Sequence, residues 1–288
     1  MKIIGIGEVV WDCLPDGKKL GGAPINFSFF AKESGADSYP ISAIGNDDLG
    51  DDTLAELKKT GLDLSYISRN DYPTSKVLIS LDAAGVPQYE IVENVAWDAM
   101  ECTPATIELI SDADAVCWGS LAQRSEKSRV AIGQMIDAAP KSALRVFDIN
   151  IRRHFYSKEI VEESLQKANV LKLNEDELPL IISLFSLPAD FSVAIAELIV
   201  RYSLKYVIFT QGAVCSSIYD VTGEVSNIAT PKVEVVDTVG AGDSFTATFV
   251  VNILKGASIV EAHRKAVEVS AYACTQAGAI NPLPDSKK

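Results

Sequence analysis

Histidine is nearly absent: only His154 and His263 occur in 288 residues. Hydrolytic triads and histidine-rich metal sites therefore have almost no material. The five cysteines (Cys13, Cys102, Cys117, Cys215, Cys274) are odd in number, scattered and never spaced as C-x-x-C. That excludes a disulfide framework and a zinc site, and leaves them as small apolar residues. Positive charge is short, with 26 Lys and Arg against 39 Asp and Glu and a formal net charge of −13. Nucleic acid is thus no expected partner, because phosphate backbones need a basic surface, whereas a small phosphorylated molecule needs only a few local donors. No stretch approaches the ~18 consecutive apolar residues of a membrane span. The opening Met1-Lys2-Ile3-Ile4-Gly5-Ile6-Gly7 reads as a buried strand rather than a secretory leader, since Glu8 and Asp12 interrupt it and no cleavage site follows. A cytoplasmic location with no membrane contact is expected. Also missing is the G-x-x-x-x-G-K-[ST] phosphate loop, and Gly5-x-Gly7 lacks the third glycine and prompt helix of a dinucleotide fingerprint.

What the chain has is alternation. Short β-branched runs at 2–9, 39–44, 114–119, 143–148, 169–173 and 205–210 alternate with amphipathic helical patterns. These fall at 23–34, 49–60, 125–138, 158–168, 190–202, 242–254 and 258–276, with Gly35 and Gly61 where C-caps belong. The pattern predicts an α/β fold, a doubly wound and mainly parallel sheet flanked by helices. Two stretches break the rhythm. Residues 74–82 and 87–93 flank Ala83-Ala84-Gly85-Val86 as a β-hairpin, and the extended run from Val9 to Leu20 holds the turn Pro15-Asp16-Gly17. Together they predict a small β lid, built around 10–20 and 72–98, on a single domain spanning 1–288.

The most informative stretch is Asp237-Thr238-Val239-Gly240-Ala241-Gly242-Asp243-Ser244-Phe245, followed by an apolar helical pattern. A glycine-rich turn that opens a helix presents bare N–H groups, and with the helix dipole these make an anion site. Asp243, beside a place built for negative charge, suits a proton acceptor; an ordinary acidic residue in a helix first turn is the plainer reading. Gly21-Gly22-Ala23-Pro24-x-Asn26, with Asp12 just before it, is a kit for sugar hydroxyls or else a simple loop-to-helix turn. Asp148-Ile149-Asn150-Ile151-Arg152 follows a buried strand, where open α/β sheets place their ligands. Arg152 there suits a phosphate or sugar oxygen, although a solvated loop would look the same. Asn174-Glu175-Asp176-Glu177 reads as a capping box with Asn174 at N-cap, and also as carboxylates able to hold hydrated Mg²⁺ through water. Thr210-Gln211-Gly212 ends a strand and either faces a phosphate tail or closes a turn.

In this order the motifs resemble the ribokinase-like carbohydrate kinase family, from residue 3 to about 280. Trp118-Gly119-Ser120-Leu121-Ala122-x-Arg124, Asn94-x-Ala96-Trp97-Asp98 and the Arg152 position look like its bacterial fructokinases. The resemblance implies transfer of the γ-phosphoryl of ATP, with Mg²⁺, to a sugar hydroxyl, fructose being the expected acceptor and fructose 6-phosphate the product. It implies Asp243 as general base and the N–H groups of Gly240, Ala241, Gly242 and Asp243 as anion hole. Asp12, Gly22 and Asn26 match sugar-binding positions, with Arg152 added to them. Asn174, Glu177, Thr210 and Gly212 match nucleotide positions, Lys172 adds charge toward the phosphates, and residues 271–274 line the adenine pocket. Glu177 would meet Mg²⁺ through water. Many members hold K⁺ at the position of Asp237; the carboxylate is kept here and a K⁺ site is an expectation, although the tail Gly278-Ala279-Ile280-Asn281-Pro282 lacks the hydroxyl residue often found there. A homodimer through the lid is expected. Other acceptors (ribose, 2-keto-3-deoxygluconate, adenosine, a phosphorylated sugar) are alternatives, as is a non-catalytic sensor, which would have no need of Asp243.

Overall fold

The computed structural model describes residues 1–14, 17–81 and 87–287, with backbone alone at 14, 79–81 and 87–89. The turns expected at Pro15-Asp16-Gly17 and Ala83-Ala84-Gly85-Val86 lie partly and wholly outside those residues.

The chain opens with β1 (Lys2–Ile6) and a strand pair, β2 (Val10–Leu14) and β3 (Gly17–Gly21). Next come α1 (Ala23–Glu33), β4 (Asp37–Gly45), α2 (Asp48–Lys58), β5 (Ile67–Asn70) and a second pair, β6 (Lys76–Leu81) and β7 (Pro87–Ile91). Strands and helices then alternate through α3 (Pro104–Ile110), β8 (Ala115–Gly119), α4 (Glu126–Ala138), β9 (Leu144–Asp148), α5 (Lys158–Lys167) and β10 (Val170–Asn174). The last part holds α6 (Glu177–Phe185), α7 (Phe191–Tyr202), β11 (Tyr206–Gln211), β12 (Cys215–Asp220), β13 (Val225–Ala229), α8 (Ala241–Leu254) and α9 (Ile259–Cys274).

One sheet runs in the order β13-β12-β11-β10-β9-β8-β1-β4-β5. Neighbours from β5 to β11 are parallel, and β12 and β13 extend the far edge antiparallel. Parallel strands covered on both faces read as near-continuous apolar runs, and Ile3, Ile4 and Ile6 of β1 are fully buried. Phe27, Phe30, Phe245 and Phe249 pack one face under α1, α8 and α9. Trp97, Trp118, Phe147, Leu178 and Ile195 pack the other. Each such side chain contributes about 1.5–3 kcal/mol on full burial.

From β1 the chain builds one side of the sheet (β4, β5) and then the other (β8 onward), so the strand order reverses at β1. The crevice outside the carboxyl ends of β1 and β8 is therefore the switch point where such sheets take ligands. A second sheet, β3-β2-β6-β7, stands over that end as the lid. Its two antiparallel pairs join through the parallel contact of β2 with β6. Trp11 Nε1 donates to Thr53 Oγ1 at 2.8 Å, tying the lid to α2. The strand expected at 2–9 stops at Ile6, where the chain leaves the sheet for the lid. The helix α3 and the strands β5, β12 and β13 add to the elements expected from sequence, and α6 follows the expected capping box. Among the described residues, no helix is long and apolar enough to cross a membrane.

Candidate active site

The glycine-rich stretch forms the expected turn into α8. Gly240 is the N-cap with φ +80°, and a Cβ there would press on Ala279 at 3.0 Å. A left-handed residue in so tight a place must be glycine. Ser244 N–H donates to Gly240 O at 2.8 Å, locking the first helical turn, and Ser270 Oγ of α9 donates to Ala241 O at 2.9 Å. Ala241 departs from the expected anion hole: its N–H is turned back to Thr238 O at 3.2 Å. The N–H groups of Gly240, Gly242 and Asp243 have no acceptor among the described residues, so the free donors are these three.

Asp243 projects from the first turn of α8, and Asn26 Nδ2 of α1 donates to its Oδ2 at 2.8 Å. Burial raises the Asp243 carboxyl above the ordinary carboxylate range, opposed by the Asn26 bond and the charges of Lys172 and Arg152. Asn26, expected on the sugar, thus orients the Asp243 carboxylate; its Oδ1 is buried and unpartnered. Beneath the loop lies Lys172 of β10, whose Nζ would sit 3.3 Å from a Cβ on Gly242 and contacts Asp148 Oδ1 at 3.2 Å. Both side chains are buried. Burial pushes the Asp148 carboxyl up to about 7, with Lys172 pulling the other way. Cys117, Trp118, Pro24 and Phe27 join Asp148 and Asp243 around a cavity of about 10 Å³, room for a single water.

Glu8 belongs to this group and went unassigned in the sequence. It is 3% exposed, one carboxylate oxygen has no partner, and burial pushes its carboxyl up to about 7. Bonds from its own N–H and that of Ala23, and the charge of Arg152, oppose the rise; Asp243 adds to it. The available signal was a carboxylate directly after the apolar strand β1. Gly22, at φ +123°, lies so close that a Cβ would meet Glu8 O at 2.4 Å. Asp12 on β2 is raised by burial, with Arg152 and Lys19 lowering it and Asp237 raising it. Arg152 is exposed and, among the described residues, bonds only the Ile151 carbonyl at 3.2 Å, so its charge stands over Glu8, Asp12 and Asp243 without being spent on one of them.

The nucleotide candidates share adjoining strand ends: Asn174 of β10 pairs in register with Thr210 of β11. Gly212 follows, and a Cβ there would meet Glu175 Oε1 at 2.8 Å. Helix α6 begins at Glu177 rather than just after Asn174, yet the reciprocal bonds form. Glu177 N–H donates to Asn174 Oδ1 at 2.9 Å and Asn174 N–H to Glu177 Oε2 at 2.8 Å. Ile151 N–H donates to Glu177 Oε1 at 2.9 Å, which joins the β10 end to the Arg152 loop. The cap and the ligand reading are compatible, because each carboxylate oxygen keeps a lone pair for water. No cluster of three or more His, Cys, Asp or Glu among the described residues could ligate a metal directly. An Mg²⁺ arriving with nucleotide phosphates and meeting Glu177 through water fits this donor set. K⁺ at Asp237 does not fit because a positive charge already stands there: Lys19 Nζ is 3.6 Å from Oδ2, beside the N–H bonds of Val239 (3.1 Å) and Gly278 (3.0 Å).

A doubly wound sheet with a carboxylate at a helix N-terminus and free N–H groups beside it suits phosphoryl transfer to an alcohol. The model of the pfkB family carbohydrate kinases matches residues 7–286, and the chain belongs to that family. It is 28% identical over 284 residues to an ATP-dependent 6-phosphofructokinase of Thermoanaerobacterium thermosaccharolyticum, covering 96% of this chain and 85% of that protein. It is also 28% identical over 313 residues to an Escherichia coli fructokinase, covering 98% and 96%. Among solved structures, an uncharacterized Pyrococcus horikoshii sugar kinase in complex with ATP superposes with a TM-score of 0.84 at 25% identity, covering 99% of this chain and 96% of the other.

Proposed function

We propose that the chain is a fructokinase that uses ATP and Mg²⁺ to phosphorylate the 6-hydroxyl of fructose. The carrying observation is the Asp243 carboxylate, oriented by Asn26 at 2.8 Å and flanked by three free N–H groups at the start of α8. Bound ATP supplies the phosphoryl group, and Mg²⁺ neutralises phosphate charge. Asp12, Gly22 and Arg152 hold the sugar under the lid with its hydroxyl toward Asp243. As that oxygen bonds to the γ-phosphorus and the bridging P–O bond breaks, Asp243 accepts the hydroxyl proton. The N–H groups of Gly240, Gly242 and Asp243, with Lys172 behind Gly242, bear the charge on the transferring group. Asn174, Thr210 and Gly212 receive the nucleotide. Val236, exposed and bonded through its N–H to the Cys274 carbonyl at 2.9 Å, supplies apolar surface for adenine beside residues 271–274.

A phosphorylated acceptor, as in the phosphofructokinase relative, would need further cations at the sugar. Arg124 cannot serve, because Asp98 and the Trp97 ring already hold it. Lys19 is committed to Asp237. Among the described residues, Arg152 is the cation that remains over the sugar site, and the assay therefore sets fructose against fructose 6-phosphate. The test is ADP release with ATP and Mg²⁺ against fructose, ribose, 2-keto-3-deoxygluconate, adenosine and fructose 6-phosphate. Fructose should lead, and Asp243→Asn should lower turnover by roughly 10²–10⁴-fold while ATP still binds. A stronger preference for another acceptor replaces fructose, and near-full activity of the variant removes Asp243 as base.

A further inference from the structure

The loop that enters the anion hole begins at Asp237, and donors of the chain itself surround its start. Asp237 Oδ1 accepts from Val239 N–H and Oδ2 from Gly278 N–H, with Lys19 Nζ 3.6 Å from Oδ2. The Cys274 carbonyl accepts from the N–H groups of Val236 (2.9 Å) and Asp237 (3.3 Å). Asn281 Nδ2 donates to Gly278 O at 2.7 Å and to Ala277 O at 3.2 Å. The Lys19 side chain lies along the tail, its Cδ 4.0 Å from where a Cβ on Gly278 would stand. A monovalent ion held between this loop and the tail would need the same carboxylate and carbonyl oxygens to replace its water. Here the Lys19 ammonium stands 3.6 Å from one of those carboxylate oxygens, and the Asn281 amide donates to two of the tail carbonyls.

We propose that Lys19 is a built-in cation, supplying at Asp237 the positive charge that a monovalent ion would bring, so that the anion-hole loop is held without K⁺. Asn281 closes the tail carbonyls on the other side. Burial pushes the Asp237 carboxyl up, but the two N–H bonds and the Lys19 charge outweigh it and hold the group below its ordinary range. Lys19 also belongs to the lid. It stands opposite Asp12 in the register of β2 with β3, so the charge that steadies the loop comes from the strand pair that carries a sugar residue. Lys19 is thus a positioning residue, acting on the anion hole through Asp237. The inference rests on the reading of residues 240–243 as the anion hole of a sugar kinase.

Two salts of equal ionic strength, KCl and tetramethylammonium chloride, test it. Without sugar or ATP, the wild-type Tm should be the same in both; a rise specific to K⁺ overturns the proposal. With ATP and acceptor, wild-type turnover should also ignore the salt, and turnover restored only by K⁺ overturns it. Lys19→Met should lower kcat/KM about tenfold in either salt, within the cost of a small misplacement of catalytic groups, while Lys19→Arg keeps most of it. The double variant Lys19→Met/Asn281→Ser frees the carboxylate and the tail carbonyls and adds a hydroxyl. Its Tm should rise in KCl by mass action, and its turnover should recover there. Wild-type kinetics in Lys19→Met, or a double variant whose Tm ignores K⁺, overturns the proposal. Because the Tm arms contain no substrate, a wild type inactive on every sugar would refute the kinase reading while the cation question is still decided.

Discussion

Lys172 reaches the anion-hole loop from the body and Lys19 reaches it from the lid, under opposite conditions. The Lys172–Asp148 pair is 8% and 7% exposed by side chain, and the Lys19–Asp237 pair 48% and 20%. Inside the body, desolvation roughly cancels the attraction, so the pair adds little net stability but neither partner can be lost alone. At the lid, an ion pair is worth about 0–1 kcal/mol and is screened by salt. One charge is permanent and the other conditional. The carboxylates repeat the contrast, since Asp243 is raised by burial while Asp237 is held down by its donors.

The strongest test of this difference is Lys172→Met. It should cost about 3–5 kcal/mol of stability by stranding Asp148, and about 10²-fold or more in turnover by removing charge behind Gly242. Denaturant titration and steady-state kinetics would measure both. Adding Asp148→Asn should restore stability and leave turnover low. If Lys172→Met were as mild in stability as Lys19→Met, the distinction between the two sides would collapse. A middle-sized effect is expected from Asn26→Ala. The Asn26 bond favours the charged form of Asp243, so its loss should move the acid limb of kcat/KM upward by about one pH unit, the order of a charge-assisted hydrogen bond. A limb that stays in place, measured from pH 4 to 8, would mean that Asn26 does not tune the base. An effect confined to pH above the ordinary carboxylate range concerns Glu8→Gln. Unfolded Glu8 titrates near 4.5 and folded Glu8 at about 7. Between these values the folded state keeps a proton that the unfolded chain has released. Glu8's contribution is therefore complete below pH 4.5 and is lost as pH rises through 7. The neutral variant should match the wild type near pH 4.5 and exceed it in Tm at pH 8. Equal Tm values at pH 8 would place Glu8 in a wetter setting than its burial indicates.

The parallel body was legible because its strands are apolar on both faces and its helices are not, a contrast that survives in one dimension. Helix α6 was marked only by its capping box, since Glu177-Leu178-Pro179-Leu180-Ile181 gives an almost unbroken apolar run with an early proline and no polar face to set a period. The edge strand β13, Val225–Ala229, mixes exposed and buried positions too weakly to stand out. The glycine-rich turn into α8 could be read directly because its free N–H groups and Asp243 are consecutive residues. Glu8 could not, because its partners are supplied by Ala23, Arg152 and Asp243. The Lys19–Asp237 contact needs the lid and the tail placed together, and nothing local marks either residue for the other.

Gly5 is a plain residue in β1, but a Cβ there would meet the Pro24 carbonyl oxygen at 2.4 Å and Ser28 Oγ at 2.5 Å. Helix α1 thus rests on the central strand backbone to backbone, with no side chain as spacer. In an assembled instrument this would be the datum face, the surface from which other dimensions are taken. Asn26 lies on the same two turns of α1 and meets Asp243 across the gap. Substitutions among the phenylalanines farther along the helix can shift its remote end. The gap between Asn26 and the base is gauged from the one place where there is no side chain to vary.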